Sequence, residues 1–262
     1  MSVVDKELIE RIAREVLEEI AKSGVGPSRF ASGGGSGPAL APSDLAKYID
    51  HTLLKAEAKP VDIDKLCGEA KQYHFFSVCV NSSSVSRCAG NLQGSGVKVC
   101  SVVGFPLGAM CTRAKAFEAS AAIEDGAREI DMVMNIGAMK AGDLKTVEDD
   151  MAAIRKACSG GVLLKVIIET CLLSTEEIIK SCEIAKNAGL DFVKTSTGFS
   201  TAGATPEHVA LMRKTVGPVM GVKAAGGVRS FQDAVNMINA GATRLGTSGG
   251  VNILKGQTIK GY

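Results

Sequence analysis

Strand-length apolar runs recur eight times along this chain, and that rhythm restricts its fold more than any other feature. The runs lie near Tyr48–Leu53, Phe75–Val80, Val97–Phe105, Glu129–Ile136, Val162–Thr170, Asp191–Thr197, Gly221–Ala225 and Thr243–Thr247. Segments long enough to form a helix separate most of them. Parallel strands need a crossover of a dozen residues or more, whereas antiparallel strands can be joined by a tight turn. Alternating strands and helices therefore predict a parallel sheet covered by helices. A weak repeat marks the helix-to-strand junctions: Asp125-Gly126-Ala127-x-x-Ile130, Ala188-Gly189-Leu190-x-x-Val193 and Ala240-Gly241-Ala242-x-x-Leu245. The glycine suits the left-handed position that ends a helix. Eight β/α units over about 210 residues match a (β/α)8 TIM barrel. The rival architecture is an open doubly wound sheet. Its dinucleotide-binding version is disfavoured, because no G-x-G-x-x-G follows an early strand.

Two segments precede the barrel pattern, which occupies residues 43–262. Residues 1–22 contain an amphipathic helix, with Leu8, Ile9, Ile12, Val16, Leu17 and Ile20 at helical spacing and charges between them. Residues 23–42 include Ser32-Gly33-Gly34-Gly35-Ser36-Gly37-Pro38, which is linker composition. The Glu and Arg residues of the first segment rule out a secretory signal.

Composition narrows the function. Hydrophobic residues make up 45% and aromatics 4%, without Trp, so the core is built from Val, Ile, Leu, Ala and Met. A formal charge of +2 gives no field for nucleic acid or an anionic membrane, so affinity for phosphate must come from a local site. No apolar run approaches the roughly 20 residues of a membrane span. The 8 cysteines include no C-x-x-C pair and only 3 histidines accompany them, so no metal is expected and the thiols read as free, in a non-secreted enzyme.

Ionisable residues interrupt four consecutive strand runs. Asp131 stands in Glu129-Ile130-Asp131-Met132-Val133, Lys165 in Leu163-Leu164-Lys165-Val166-Ile167, Lys194 in Phe192-Val193-Lys194-Thr195, and Lys223 in Gly221-Val222-Lys223-Ala224. Alternate strand residues face the barrel interior, and outward positions lie under helices and should be apolar, so these groups are expected to point inward. Burial disfavours the charged form of a lysine, and a second ammonium nearby acts the same way. A neutral lysine is a nucleophile for carbonyl carbon. Lowering the pKa of a lysine from about 10.4 to about 7 raises its neutral fraction at pH 7 by about three powers of ten. A carboxylate such as Asp131 would then move protons. Small residues end the last three strands, at Thr197-Gly198, Gly226-Gly227 and Gly246-Thr247-Ser248-Gly249-Gly250, where backbone amides can approach a phosphate.

These segments, with Asp50-His51-Thr52, Ser77-Val78-Cys79-Val80, Leu164-Lys165-Val166-Ile167-Ile168-Glu169-Thr170, Phe192-Val193-Lys194-Thr195-Ser196-Thr197-Gly198 and Val222-Lys223-Ala224-Ala225-Gly226-Gly227-Val228-Arg229, resemble the deoxyribose-phosphate aldolase family from about residue 44 to 254. The resemblance implies a class I aldolase without a cofactor. It would reversibly cleave 2-deoxy-D-ribose 5-phosphate to glyceraldehyde 3-phosphate and acetaldehyde, a step of deoxyribonucleotide catabolism. It implies Lys194 as the Schiff-base residue, Lys223 as the group that depresses its pKa and joins the proton relay, and Asp131 as general acid/base through a water. It implies phosphate contacts from Gly198, Gly226, Gly227 and Ser248, an assisting role for the terminal Tyr262, and a homo-oligomer. Gly249 departs from a serine of some members, which removes one hydroxyl contact.

Plainer readings stand beside these. Lys165 is read as a site-wall residue that orients Asp131 or Lys194, Cys79 as core, and Glu169 as a charge balance. His51, His74 and His208 lack metal-ligand spacing. The first 22 residues are either a helix capping the barrel or an address, since their pattern resembles the encapsulation peptides of bacterial microcompartment enzymes. On the second reading a shell protein is a partner, and the enzyme works in a cytoplasmic microcompartment lumen. The rival functions are another Schiff-base aldolase or transaldolase, and a non-catalytic phosphate-ligand binder.

Overall fold

The computed structural model describes residues 41–259. The predicted helix within residues 1–22, the linker as far as residue 40 and Tyr262 lie outside the described residues. The chain enters through α1 (Pro42–Ala46) and then alternates: β1 (Ile49–Leu53), α2 (Pro60–Tyr73), β2 (Ser77–Val80), α3 (Val85–Asn91), β3 (Lys98–Val103), α4 (Thr112–Glu124) and β4 (Glu129–Val133). It continues with α5 (Ile136–Lys140), α6 (Leu144–Ala157), β5 (Leu163–Ile167), α7 (Thr175–Asn187), β6 (Phe192–Lys194), α8 (Pro206–Val216), β7 (Gly221–Ala225), α9 (Phe231–Asn239), β8 (Arg244–Thr247) and α10 (Gly250–Leu254). All eight strands pair in parallel, and β8 closes on β1, so the sheet is the expected (β/α)8 barrel rather than an open sheet. Among the described residues no helix is long and apolar enough to cross a membrane.

Local sequence explains the elements. Ser174 with Glu177 and Ser230 with Asp233 form capping boxes that satisfy the first amides of α7 and α9. Thr205 caps α8, whose first residue is Pro206, with φ preset for a helix. The junction glycines of the repeat, Gly126, Gly189 and Gly241, have φ of 113°, 72° and 109°. Several strands are shorter than the apolar runs that predict them. In the clearest case, β6 ends at Lys194 although the run continues to Thr197. Backbone bonds persist at Thr195, whose amide donates to the Lys223 carbonyl, but at Thr197 a side chain takes over, because the Thr197 amide donates to the Glu169 carboxylate.

Alternation divides the strands into two faces. Ile130, Met132, Leu164, Val166, Val193, Val222, Ala224 and Leu245 join the large core beneath the helices. Among the described residues the interior contains a small apolar cluster of Leu54, Cys79, Cys100 and Val102, with Phe105 against it. Charged side chains gather beside it.

Outside the barrel, Lys115 of α4 and Asp150 of α6 form a buried ion pair at 2.6 Å that the apolar pattern does not reveal. Lys115 also donates to the Val133 carbonyl, and Thr112 donates to Asp150. Removing one member of such a pair leaves a charge in a low-dielectric setting, which costs about 3–5 kcal/mol. We expect Asp150→Ala to lower unfolding free energy by that amount in denaturant titration. The pair Lys115→Met with Asp150→Leu should recover most of it. A loss below about 1 kcal/mol for Asp150→Ala would contradict this account.

Candidate active site

The strand register places Asp131 beside Lys165 and Lys194 beside Lys223. All four side chains point into the barrel and meet. Lys194 and Lys223 each donate to the same oxygen, Oδ2 of Asp131, at 2.8 Å. Lys165 donates to Oδ1 at 2.8 Å, and so does the Cys100 thiol, at 3.2 Å. The lysine pair is therefore a geometric fact, with a carboxylate between its amines.

Three more charged residues complete the interior. Asp50 of β1 takes Lys223 at 2.5 Å and Arg244 of β8 at 2.6 Å. Glu129 of β4 takes Lys165 at 2.6 Å and Arg244 at 3.2 Å. The contacts close on themselves, running Arg244, Asp50, Lys223, Asp131, Lys165, Glu129 and back to Arg244. The result is a ring of three acids and three bases with alternating sign. The Arg244 guanidinium also lies 3.4 Å from the centre of the Phe76 ring, at the end of the barrel opposite the strand C-termini. Sequence reasoning missed the roles of Asp50, Glu129 and Arg244. Each stands at or next to the start of a strand, where a polar residue is ordinary. Their available signal was parity, since each shares the inward phase of its strand.

The ring decides which lysine differs from the others. Lys165, Lys223 and Arg244 each touch two carboxylates, whereas among the described residues Lys194 touches only Asp131. Lys194 is also the least enclosed of the three amines, with 3% of its side chain exposed against 0% for the other two. The ring is neutral when fully ionised, and Lys194 stands outside it.

Burial does not neutralise the ring lysines, contrary to the expectation for a buried lysine. Burial disfavours the Lys223 charge, but Asp131 and Asp50 outweigh it and hold Lys223 above the ordinary lysine range. For Lys165, burial is likewise outweighed, by Asp131, Cys100 and Glu129. Burial opposes ionisation of Asp131, and Lys165, Lys194 and Lys223 together override it and hold the carboxyl well below its usual range. Asp131 is thus a carboxylate over any moderate pH, and Lys223 is a fixed positive charge beside Lys194.

The small residues assemble at the C-terminal end of the barrel. Gly226 and Gly227 follow β7 with φ of 74° and 80°, a left-handed conformation that suits glycine. A β-carbon on Gly226 would lie 3.4 Å from the Gly198 α-carbon, and a cavity of about 30 Å³ is walled by Gly226, Gly227, Arg229 and Ser248 among others. The four residues expected to hold phosphate thus sit together. Glu169, itself in the left-handed region at φ 56°, accepts from the Thr197 hydroxyl at 2.5 Å and so fixes the approach to Gly198. Burial raises the Glu169 pKa, and the Thr197 hydrogen bonds temper the rise. A β-carbon on Gly249 would meet the tip of the Ile259 side chain, which would have to shift.

The remaining candidates lie elsewhere. His51 faces away from the interior and bonds Glu69 at 2.7 Å. His74 is the C-cap of α2, and His208 sits in the first turn of α8. Cys79 lies in the interior apolar cluster.

Comparison with known proteins fits this architecture. The model of the DeoC/LacD family aldolases matches residues 45–256. A deoxyribose-phosphate aldolase of Streptococcus uberis is 61% identical over 217 residues, which is 83% of this chain and 98% of that protein. A crystal structure of a putative deoxyribose-phosphate aldolase from Coccidioides immitis superposes with a TM-score of 0.81 at 39% identity, covering 97% of this chain and 98% of that one. A deoxyribose phosphate aldolase from Aeropyrum pernix, described as a unique tetramer, superposes at 0.77 with 36% identity, covering 93% and 97% of the two chains. With the barrel closed, the lysine pair joined through Asp131 and the match running almost the length of the barrel, this chain belongs to the DeoC/LacD aldolase family.

Proposed function

We propose that the chain is a class I deoxyribose-phosphate aldolase that works without a cofactor. The observation that carries the reading is the meeting of Lys194 and Lys223 on one Asp131 oxygen, with Lys194 the member left outside the neutral ring. The neutral Lys194 amine attacks the aldehyde carbon of open-chain 2-deoxy-D-ribose 5-phosphate, and loss of water gives a protonated imine. That imine accepts the electron pair of the C2–C3 bond. Asp131, acting through a water, takes the C3 hydroxyl proton, and glyceraldehyde 3-phosphate leaves. Protonation of the enamine at C2 and hydrolysis return acetaldehyde and free Lys194. Lys223 stays charged, which favours the neutral form of Lys194, and its hydrogen bond orients Asp131 in the relay. Lys165 holds Asp131 in place through Oδ1. Gly198, Gly226, Gly227 and Ser248 receive the phosphate, which fixes the sugar over Lys194. The rival sugar-phosphate aldolase or transaldolase differs only in substrate, and relative cleavage rates on a panel of sugar phosphates separate them.

Residues 1–22 and the linker 23–42 are proposed to form an encapsulation peptide that binds a microcompartment shell protein, and the barrel to work as a homo-oligomer in the cytoplasm or that lumen. Support comes from the amphipathic pattern, the linker composition and a family match that begins at residue 45. The tetramer described for the Aeropyrum pernix relative supports the oligomer.

Three measurements test these readings. Acetaldehyde with borohydride should leave a reduced adduct on the peptide holding Lys194, and Lys194→Ala should lower kcat at least about a thousandfold. An adduct confined to Lys223 would reverse the assignment. Ser248→Asp sets a negative charge against the phosphate, so KM for the sugar phosphate should rise at least about tenfold, while trapping by acetaldehyde, which carries no phosphate, stays unchanged. Equal loss in both assays would remove Ser248 from the phosphate site. Residues 1–42 fused to a fluorescent protein should concentrate in co-expressed shells, and a diffuse signal beside intact shells would refute the address.

A further inference from the structure

Cys79 and Cys100 are residue partners across β2 and β3, and both side chains are fully buried in the barrel interior. Their sulfurs and an Asp131 oxygen lie within 4.8 Å of one another, and the Cys100 thiol donates to Asp131 Oδ1. Neighbouring strands run about 4.7–4.9 Å apart, and a disulfide spans α-carbons about 4.4–6.8 Å apart. Register partners pointing to the same side of adjacent strands therefore fall within the α-carbon range of a disulfide. The same three groups resemble a metal-ligand set, but three lysine amines already surround the Asp131 carboxylate and oppose an added cation.

We propose that Cys79 and Cys100 form a two-thiol oxidation site, in which a peroxide closes a disulfide across β2 and β3 and thereby reversibly inactivates the enzyme by disengaging Asp131. The inactivation rests on the catalytic role proposed for Asp131, whereas the disulfide does not. Cys100 is in register with Glu129 and Val102 with Asp131, so the thiols lie one layer below Asp131, fully buried, and the oxidant must be as small as a peroxide to reach them. The Cys79 sulfur is the attacking group. The Cys100 thiol beside it lowers its pKa, with Lys223 and Lys194 adding to the effect against burial, while burial raises the Cys100 thiol itself. Unequal thiols of this kind suit stepwise exchange.

In the first step the Cys79 thiolate attacks a peroxide oxygen. The S–O bond forms, the O–O bond breaks, and the other oxygen leaves as water or an alcohol. In the second, the Cys100 thiol attacks the Cys79 sulfur and its proton goes to the departing oxygen. The S–S bond forms, the S–O bond breaks, and hydroxide leaves with the proton as water. Two thiols and hydrogen peroxide thus yield one disulfide and two waters. Cys100 then has no S–H to donate, and Asp131 loses one of the four groups that hold it.

The test uses the full chain carrying Cys111→Ser and Cys171→Ser, because these cysteines are exposed or half-exposed and oxidise on their own account. After hydrogen peroxide, non-reducing peptide mapping should link the Cys79 and Cys100 peptides, two hydrogens lighter than their sum. Sugar-phosphate cleavage should fall at least about tenfold in step with the linked fraction and return with dithiothreitol, the loss of one charge-assisted hydrogen bond being worth about that factor. Adding Cys100→Ser should abolish the link and the reversible loss, measured against that variant's own untreated rate. Absence of the link in protein whose Lys194 is still trapped by acetaldehyde and borohydride would overturn the proposal and leave the aldolase reading standing. A link without loss of activity, or reversible loss that persists in the Cys100→Ser variant, would also overturn it. Linked thiols in a protein that never traps acetaldehyde would instead place the failure in the aldolase reading.

Discussion

Everything in the barrel interior depends on one carboxylate accepting three lysines. Asp131 is fully buried, and alone it would be protonated or would disrupt the fold. Lys165, Lys194 and Lys223 make its ionisation favourable, and in turn it makes their burial tolerable. The dependence extends around the ring. Lys223 is shared with Asp50, Asp50 with Arg244, Arg244 with Glu129, and Glu129 with Lys165. Buried ion pairs are weak sources of net stability, but removing one partner is strongly destabilising. A closed ring therefore fixes positions more than it adds stability.

Fixing positions is what a Schiff-base site needs. A nucleophilic lysine must sit where substrate reaches it, beside a cation that does not move and a carboxylate that can carry a proton. The ring supplies the cation and the carboxylate, and Lys194 stands outside it, paired among the described residues with Asp131. A small cavity walled by Gly226, Gly227 and Ser248 lies at the same end, where the last strands run out. The helices contribute through the other face of the strands. Their apolar layer takes Ile130, Leu164, Val193 and Val222, which forces Asp131, Lys165, Lys194 and Lys223 inward by the two-residue period.

Much of this was legible before the structure. The eight apolar runs predicted the eight strands, and the repeat glycines predicted the junctions. Asp131, Lys165, Lys194 and Lys223 were visible because each breaks an apolar run, and a charge in such a run requires a partner. Asp50, Glu129 and Arg244 were not, because Asp50 has polar neighbours on its strand and the other two begin theirs. The strand ends were also set too far along, since the pattern cannot show that Glu169 takes the Thr197 amide from the ladder. Lys115 and Asp150 stayed hidden for a related reason. They are 35 residues apart on separate helices, where charge is expected at the surface.

The sequence by itself determined the alternation of strands and helices, the inward phase of the charged residues and the family to which the chain belongs, because these follow from periodicity and local residue order. Only the tertiary structure decided which charge meets which. Pairing such as that of Asp50 with Arg244, 194 residues apart, exists only once β8 closes on β1. Closure also decided that Lys223 and Lys165 stay charged despite burial, since that depends on carboxylates brought from other strands. Lys194 became distinct in the same way, as the lysine that stands outside the ring among the described residues.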